Sequence, residues 1–287
     1  MRAATLSDGL EVWCLRKSEA VVLDSHVEGY LNHGIVVRDG DTILDVGANI
    51  GIFGVRAVQR NRGVRVFALE PVPDIFAVLS KNASDHGDGR LVVLNCGAAE
   101  TAGRATFTYF PRSPALSTSD PGAWDEQPDE FKEAVAGATR NAPMWYARMV
   151  PRFLSGFIAK HLRGGAKEID AELRALSDII DEHNISRVDL LKVDCEGAEL
   201  PALLGIRDEH WPRVDKVVVE VHDRDGRLDT VRNLLQKHGL TRITVEKEAG
   251  FEGTRLVNVF ATRPPIDGDG GDSEGADDGA AKDDTAS

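Results

Sequence analysis

The sequence contains few cysteines, since Cys14, Cys96 and Cys195 are the only three among its 287 residues. They are too few and too scattered to form the disulfide framework of a small secreted domain or a close-spaced zinc motif. No apolar run approaches the length of a membrane-spanning helix, and the N-terminus lacks the apolar segment and cleavage site of a signal peptide. We therefore expect a soluble protein in the reducing cytoplasm.

Positive charge is also scarce, with 34 lysines and arginines against 47 acidic residues and a net charge of −13. Proteins that bind nucleic acid through its phosphates usually carry a basic face, so we expect no nucleic-acid partner. Much of the negative charge lies in residues 264–287, which are rich in glycine, aspartate and alanine and have no periodic apolar face. Such a composition cannot bury enough apolar surface to offset its ordering entropy, so this acidic tail is predicted to be disordered.

Residues 41–99 alternate between short β-branched runs and segments with helical periodicity. TILDVGA, RVFALEP and RLVVLNCGAAE have the composition of buried strands, and NIGIFGVRAVQR and DIFAVLSKNASDHG have that of the helices between them. Strands that alternate with helices form a parallel sheet with helical crossovers. Four later runs, DLLKVD, KVVVEVH, LTRITVEKE and RLVNVFATR, complete a predicted seven-stranded α/β sheet, the last two as a hairpin.

A long segment, residues 112–187, separates the third and fourth of these strands. A connection of this length must carry its own structure, and such segments are commonly lids over a binding site. We predict a helical insertion, in which RFLSGFIAKHLRG forms a basic amphipathic helix that either packs on the core or meets a membrane surface, an acidic partner or a carrier protein. The predicted organisation is an extension of helix and strand over 1–40, a domain over 41–263 and the acidic tail.

The most informative stretch is DTILDVGANIG at residues 41–51, where a strand runs directly into a glycine turn and the start of a helix. Gly47 permits backbone geometry that a side chain would hinder, and Gly51 is expected to let the helix lie close to a bound ligand. Asp45 can accept hydrogen bonds from a cationic amine. The sequence patterns of a phosphate-binding loop and of a dinucleotide site are both missing. This turn therefore supplies a carboxylate and no group that would neutralise a phosphate.

Glu70 ends the second strand, at the interval where a doubly wound sheet places an acid against ribose hydroxyls. A phosphate-free nucleoside fits between Asp45 and Glu70, and S-adenosylmethionine is such a molecule. The alternative is that the two acids are a helix cap and a surface charge. Residues at the first three strand ends form the predicted cofactor site: Asp45, Gly47, Ala48, Asn49, Gly51, Glu70, Asn95, Cys96 and Gly97. The last three are assigned by position alone, where an adenine edge would pass.

Two further motifs, LLKVDCEGAELPALLGI and KVVVEVHDRDGRL, make the chain resemble the FkbM-type methyltransferases over residues 28–263. The resemblance implies a Rossmann-like class I methyltransferase sheet and S-adenosylmethionine as the methyl donor. EVHDRDGRL and the LVNVFATR ending are similar to members that act in polyketide and peptide assembly lines. They imply O-methylation of a hydroxyl on a small or carrier-protein-bound natural-product intermediate. The chain departs from some of these relatives at residues 196–199, and its insertion and tail match no pattern of the family.

Three residues at later strand ends are the candidate catalytic groups. Methyl transfer from a sulfonium is an in-line displacement, so most catalysis can come from positioning donor and acceptor. A hydroxyl acceptor must also lose its proton, and His222 is the best-placed neutral base because strand ends line the ligand crevice of such sheets. Asp194 is expected to face the methionine end of the donor, and Glu196 the acceptor.

Other interpretations stay open at this point. His222 is equally compatible with a structural role, and acids beside a histidine also suit a divalent metal that lowers the pKa of a hydroxyl, although we assign no metal site. A dinucleotide-dependent dehydrogenase would tolerate Glu70 but would want a third glycine. A non-catalytic module would bind the adenosyl ligand without turning it over. Oxygen is the expected methyl acceptor, with nitrogen and carbon as alternatives.

Overall fold

The computed structural model describes residues 1–119, 155–247 and 254–264. Its strands are β1 (Arg2–Thr5), β2 (Glu11–Cys14), β3 (Thr42–Val46), β4 (Arg65–Leu69), β5 (Leu91–Leu94), β6 (Gly97–Ala98), β7 (Gly103–Tyr109), β8 (Lys167–Arg174), β9 (Leu190–Val193), β10 (Lys216–His222), β11 (Arg242–Glu246) and β12 (Leu256–Thr262). Its helices are α1 (Lys17–His26), α2 (Ile52–Arg60), α3 (Pro73–His86), α4 (Ser155–Leu162), α5 (Leu176–Glu182), α6 (Glu199–Leu204) and α7 (Arg227–Lys237).

The central sheet has the strand order β11-β12-β10-β9-β3-β4-β5. Strands β10, β9, β3, β4 and β5 run parallel, and β12 runs antiparallel to both of its neighbours. This arrangement confirms the predicted seven-stranded α/β sheet and its closing hairpin. The chain order reverses at β3, because β4 lies on one side of it and β9 on the other. Ligands of such sheets bind at this switch point, beyond the carboxyl ends of the strands.

Helices cover both faces of the sheet, which explains why its parallel strands are largely apolar. Helices α1, α2 and α3 pack on the face that carries Ile43 and Leu190, and α5, α6 and α7 pack on the face that carries Leu44 and Leu191. The side-chain alternation of β3 and β9 therefore directs Asp45 and Lys192 toward the first face. No helix in the described part of the chain is long and apolar enough to span a membrane.

The insertion is helical only in part. Strand β8, at residues 167–174, pairs antiparallel with β7 and parallel with β6 in a separate three-stranded sheet. A strand forms here because Ile169, Ala171 and Leu173 alternate with exposed or charged positions, which is strand rather than helix periodicity. Helix α4, at residues 155–162, lies within the predicted basic helix RFLSGFIAKHLRG at residues 152–164. Residues 120–154 of the predicted helical insertion and residues 265–287 of the acidic tail lie outside the described residues.

The N-terminal extension consists of the β1–β2 hairpin, α1 and a 3₁₀ turn at Val27–Tyr30. A buried arginine of α2, Arg56, fastens it to the domain through ion pairs with Asp8 at 2.6 Å and Asp24 at 2.7 Å. Because the guanidinium of Arg56 is buried, losing its acidic partners would leave it uncompensated, so the two pairs attach the extension to α2. The 3₁₀ turn is thereby brought to the carboxyl end of β9.

Candidate active site

The turn after β3 lies directly against the end of β9. Gly47 has a φ of 75°, and a Cβ added there would lie 1.8 Å from the carbonyl oxygen of Asp194. Only glycine allows this approach. Gly51 has a φ of 83°, but a Cβ there would meet Leu79 of α3 at 2.5 Å. The positive φ and the packing of α2 against α3 both favour glycine here, and the approach of this helix to a ligand stays a prediction.

The backbone N–H groups of this turn are bonded within the protein. Those of Gly47 and Ala48 donate to the carbonyl of Leu69 at 3.1 and 2.9 Å, and the side chain of Ala48 lies in the core. Asn49, with a φ of 51°, donates its N–H to Oε2 of Glu70 at 3.1 Å. Gly47 and Ala48 therefore shape the turn, and the backbone of Asn49 lies beside Glu70, while its side-chain Oδ1 accepts the N–H of Ile50 at 2.8 Å.

Glu70 is buried at the end of β4, and its carboxylate joins two loops. Its Oε1 accepts the N–H of Val72 at 2.9 Å, and its Oε2 accepts that of Asn49. Burial raises the pKa of Glu70 to about 7, although these two donors oppose the shift. A carboxylate has about four acceptor positions, so Glu70 can accept further hydrogen bonds.

The three residues after β5 are placed differently from one another. Asn95 is exposed, and its amide donates to the carbonyl of Glu70 at 2.8 Å. Cys96 is buried in the core, where desolvation raises the pKa of its thiol to about 11. Gly97 belongs to β6 and packs against Leu173 of β8. Of this predicted adenine-side group, only Asn95 exposes its side chain next to Glu70.

Asp45 and Lys192 form a buried ion pair at the centre of the sheet. They are cross-strand neighbours on β3 and β9, and Nζ of Lys192 lies 3.0 Å from Oδ1 of Asp45. Burial disfavours the ammonium, but Asp45 and Asp194 outweigh it and raise the pKa of Lys192, so the lysine is charged at neutral pH. Oδ1 of Asp45 is therefore occupied by a side-chain amine of this protein, and the predicted ligand contact of Asp45 stays a prediction for its other oxygen. Oδ2 of Asp45 is buried without a partner among the described residues.

His222 ends β10 between two glutamates. Its Nδ1 lies 3.3 Å from Oε1 of Glu199, and its Nε2 lies 3.6 Å from Oε2 of Glu196. Burial disfavours the imidazolium, but Glu199 and Glu196 outweigh it and raise the pKa of His222 to about 9. The raised pKa favours the imidazolium at pH 7, so the predicted base would have to lose this proton before it accepts another.

The two glutamates differ in their surroundings. Glu199 is fully buried and also accepts the N–H of Gly197 at 2.6 Å, so it fixes the orientation of the imidazole. Glu196 is partly buried, has a φ of 53° and accepts a hydrogen bond from Thr118 Oγ1 on its carbonyl at 2.5 Å. Burial raises the pKa of Glu196 to about 8, although His222 opposes the shift. The pair of Glu196 and His222 can therefore hold or release a proton near neutral pH.

Several groups at the site were missed by the sequence analysis. For Lys192 the sequence did contain an indication, because an ionisable residue inside the apolar run DLLKVD requires a buried partner of opposite charge. Glu199 stood in the DCEGAE motif without an assigned role. Nothing in the sequence around Tyr30 indicated that its hydroxyl reaches Asp194, at 2.7 Å from Oδ2. In the described ranges, no group of three or more histidine, cysteine, aspartate or glutamate side chains is arranged to hold a metal ion.

Comparison with known proteins agrees with these motifs. Residues 45–241 match the methyltransferase FkbM domain. The chain is 38% identical over 235 residues to the 31-O-demethyl-FK506 methyltransferase FkbM of Streptomyces tacrolimicus, which covers 82% of this chain and 85% of that protein. It is 34% identical over 245 residues to the methyltransferase sdnD of Sordaria araneosa, covering 81% and 86%. Among solved structures, methyltransferase FkbM of Methylobacillus flagellatus KT is 18% identical with a TM-score of 0.47, covering 84% of this chain and 51% of that one.

Proposed function

Because this chain belongs to the FkbM methyltransferase family, we propose that it transfers the methyl group of S-adenosylmethionine to a hydroxyl oxygen of a small natural-product intermediate. The observation that carries the proposal is the row of acids and one histidine at the carboxyl ends of β3, β4, β9 and β10. It comprises Asp45, Glu70, Asp194, Glu196 and His222. The relative from Streptomyces is named for methylation at a 31-O position, which supports oxygen as the acceptor.

The charge of this row favours the donor over a dinucleotide. S-adenosylmethionine brings a sulfonium and an ammonium that suit Asp194 and the ionised form of Glu70, whereas the turn at residues 47–51 has no basic side chain to neutralise a pyrophosphate. In our proposal Glu70 accepts the ribose hydroxyls, Asn49 and Asn95 flank the nucleoside, and Asp194 faces the amino-acid end. Asp45 supports the amino-acid end in two ways. Its Oδ1 holds Lys192, and its Oδ2 would accept a hydrogen bond from the ammonium of S-adenosylmethionine or from an ordered water.

The acceptor side of the proposal concerns proton transfer. In the reaction the bond from sulfur to the methyl carbon breaks with its electron pair remaining on sulfur, and a bond from the acceptor oxygen to that carbon forms. The hydroxyl proton leaves to Nε2 of His222, which must first be neutral. Glu199 holds the Nδ1 side of the ring, in the way that a buried carboxylate orients a catalytic imidazole. Glu196 lies on the Nε2 side and can exchange the proton with His222.

Turnover separates this enzyme from a module that only binds the adenosyl ligand. The test incubates the protein with trideuteromethyl-labelled donor and a panel of hydroxylated acceptors, either free or attached as thioesters to a carrier protein. We expect S-adenosylhomocysteine to accumulate with the acceptor and the label to appear in a methoxy group. Labelled N-methyl or C-methyl product would overturn the oxygen assignment, and donor binding without product from any acceptor would favour the module.

The first prediction concerns the nucleoside site. Above the pKa of about 7, where Glu70 is mainly ionised, replacing it by glutamine keeps its shape but removes the charge that holds a diol. We expect the Kd for S-adenosylmethionine and S-adenosylhomocysteine to rise about 10- to 100-fold there, as for the loss of charged hydrogen bonds. Isothermal titration calorimetry measures this. Glu168→Gln, an exposed change on β8, is the matched control and should leave both Kd values unchanged. Unchanged donor binding in Glu70→Gln would remove the ribose role, and tight NAD binding by the wild type would refute the donor.

A further inference from the structure

Tyr30 lies outside the sheet, in the 3₁₀ turn of the N-terminal extension, yet its side chain reaches the site. Its hydroxyl donates to Oδ2 of Asp194 at 2.7 Å, across 164 positions of sequence. Its ring lies 4.8 Å from Nζ of Lys192, measured to the ring centroid, and stands edge-on to Phe53 of α2 with the centroids 5.9 Å apart. The phenol therefore contacts two charged residues, Lys192 on β9 and Asp194 directly after this strand.

Lys192 links Tyr30 to the rest of the charged group. Its Nζ lies 3.0 Å from Oδ1 of Asp45 and 3.9 Å from Oδ2 of Asp194. The face of an aromatic ring also stabilises a desolvated ammonium. One buried cation thus holds two carboxylates at the ends of adjacent strands, while the ring of Tyr30 covers the cation.

This arrangement fixes the side chain of Asp194. Its Oδ2 is engaged by the phenol and by the lysine, so the rotamer is set before any ligand arrives. In the described part of the chain its other oxygen, Oδ1, receives no hydrogen bond from a protein donor. A carboxylate held in this way binds a ligand cation more tightly, because the entropy of ordering it has already been lost.

We propose that Tyr30 is a positioning residue for methyl-donor binding, and that the N-terminal extension completes the donor site by clamping Asp194 through Tyr30 and Lys192. The inference rests on the proposed function, since it assumes that Asp194 faces the ammonium of S-adenosylmethionine. The clamp spans two separate regions of the chain, so the turn at 27–30 and the end of β9 must both be in place for tight donor binding.

The test compares donor binding in Tyr30→Phe with that in the wild type. The change removes one hydroxyl and keeps the ring over Lys192, so the unfolding midpoint should move little. We expect the calorimetric Kd and the kinetic KM for S-adenosylmethionine to rise about tenfold while kcat stays within about twofold. Thr106→Val is the matched control, because it removes a hydroxyl that donates to Asp170 at 2.8 Å on the small sheet. It should change none of these quantities.

A double-mutant cycle with Asp194→Asn tests whether Tyr30 acts through Asp194. In the Asp194→Asn background, Tyr30→Phe should have an effect on the donor Kd of less than about twofold, since the contact it removes is already altered. A donor Kd in Tyr30→Phe equal to that of the wild type would overturn the clamp, and so would an undiminished tenfold effect in the Asp194→Asn background. Failure of the wild type to bind the donor would instead overturn the proposed function, and the clamp with it.

Discussion

Replacing His222 by alanine is expected to lower turnover of the hydroxylated acceptor about 10²- to 10⁴-fold, the usual cost of losing a general base. Donor affinity should stay within about twofold, because the proposed role of His222 concerns the acceptor proton alone. Single-turnover rates with saturating donor measure the first quantity, and calorimetry measures the second. A variant that keeps nearly full rate would refute the base. Loss of rate together with loss of donor binding would show a structural role.

The pH profile provides a second test of this base. Glu199 and Glu196 raise the pKa of His222 to about 9, so the histidine is protonated and inactive as a base below that pH. We expect kcat/KM for the acceptor to rise with pH and to level off above about 9. With an unperturbed histidine, kcat/KM would level off above about 6.5. Glu199→Gln removes one of the charges that stabilise the imidazolium, so kcat/KM should level off at a lower pH in this variant. A wild-type rate that is already level at pH 7 would contradict the assignment.

A divalent metal would change this interpretation, since it lowers the pKa of a bound hydroxyl and makes a histidine base unnecessary. Rates of the wild type and of His222→Ala should therefore be measured with and without a chelator. Under our proposal the chelator has no effect on either protein. A chelator-sensitive wild type, together with nearly full activity in His222→Ala plus added metal, would move the proton transfer to a metal-bound hydroxyl.

Replacing Lys192 by methionine is expected to lower the free energy of unfolding by about 3–5 kcal/mol, because it leaves Asp45 buried without its ion-pair partner. Urea denaturation followed by circular dichroism measures the change. The matched control is Lys81→Met, which breaks the exposed pair with Asp85 on α3 and should cost less than about 1 kcal/mol. Adding Asp45→Leu to Lys192→Met should recover most of the stability, because the uncompensated charge is then absent. A loss below about 1 kcal/mol in the single variant would mean that the buried pair contributes little.

The sequence by itself determined the sheet and the turn that follows its first core strand. Alternating β-branched runs and helical segments predicted all seven strands, and burial on both faces leaves a strong apolar signal in the five parallel ones. The small sheet was missed, since β8 is short of apolar residues and only Ile169, Ala171 and Leu173 show its period of two. The sequence also singled out two glycines of the turn, Gly47 for its backbone geometry and Gly51 for an expected approach to a ligand. The atoms that require them, the Asp194 carbonyl and the Leu79 side chain, became known only from the packing.

The tertiary structure alone decided the charge states and partners of the site residues. Sequence order placed Asp45, Asp194, Glu196 and His222 at strand ends, but a pKa depends on burial and on neighbours that come from other parts of the chain. The protonated state of His222 follows from two glutamates on the loop after β9 and on α6, more than twenty positions away. The contact of Tyr30 with Asp194 spans 164 positions, and no local pattern encodes it. Such contacts follow from the order of strands in the sheet, because this order brings distant segments to one edge.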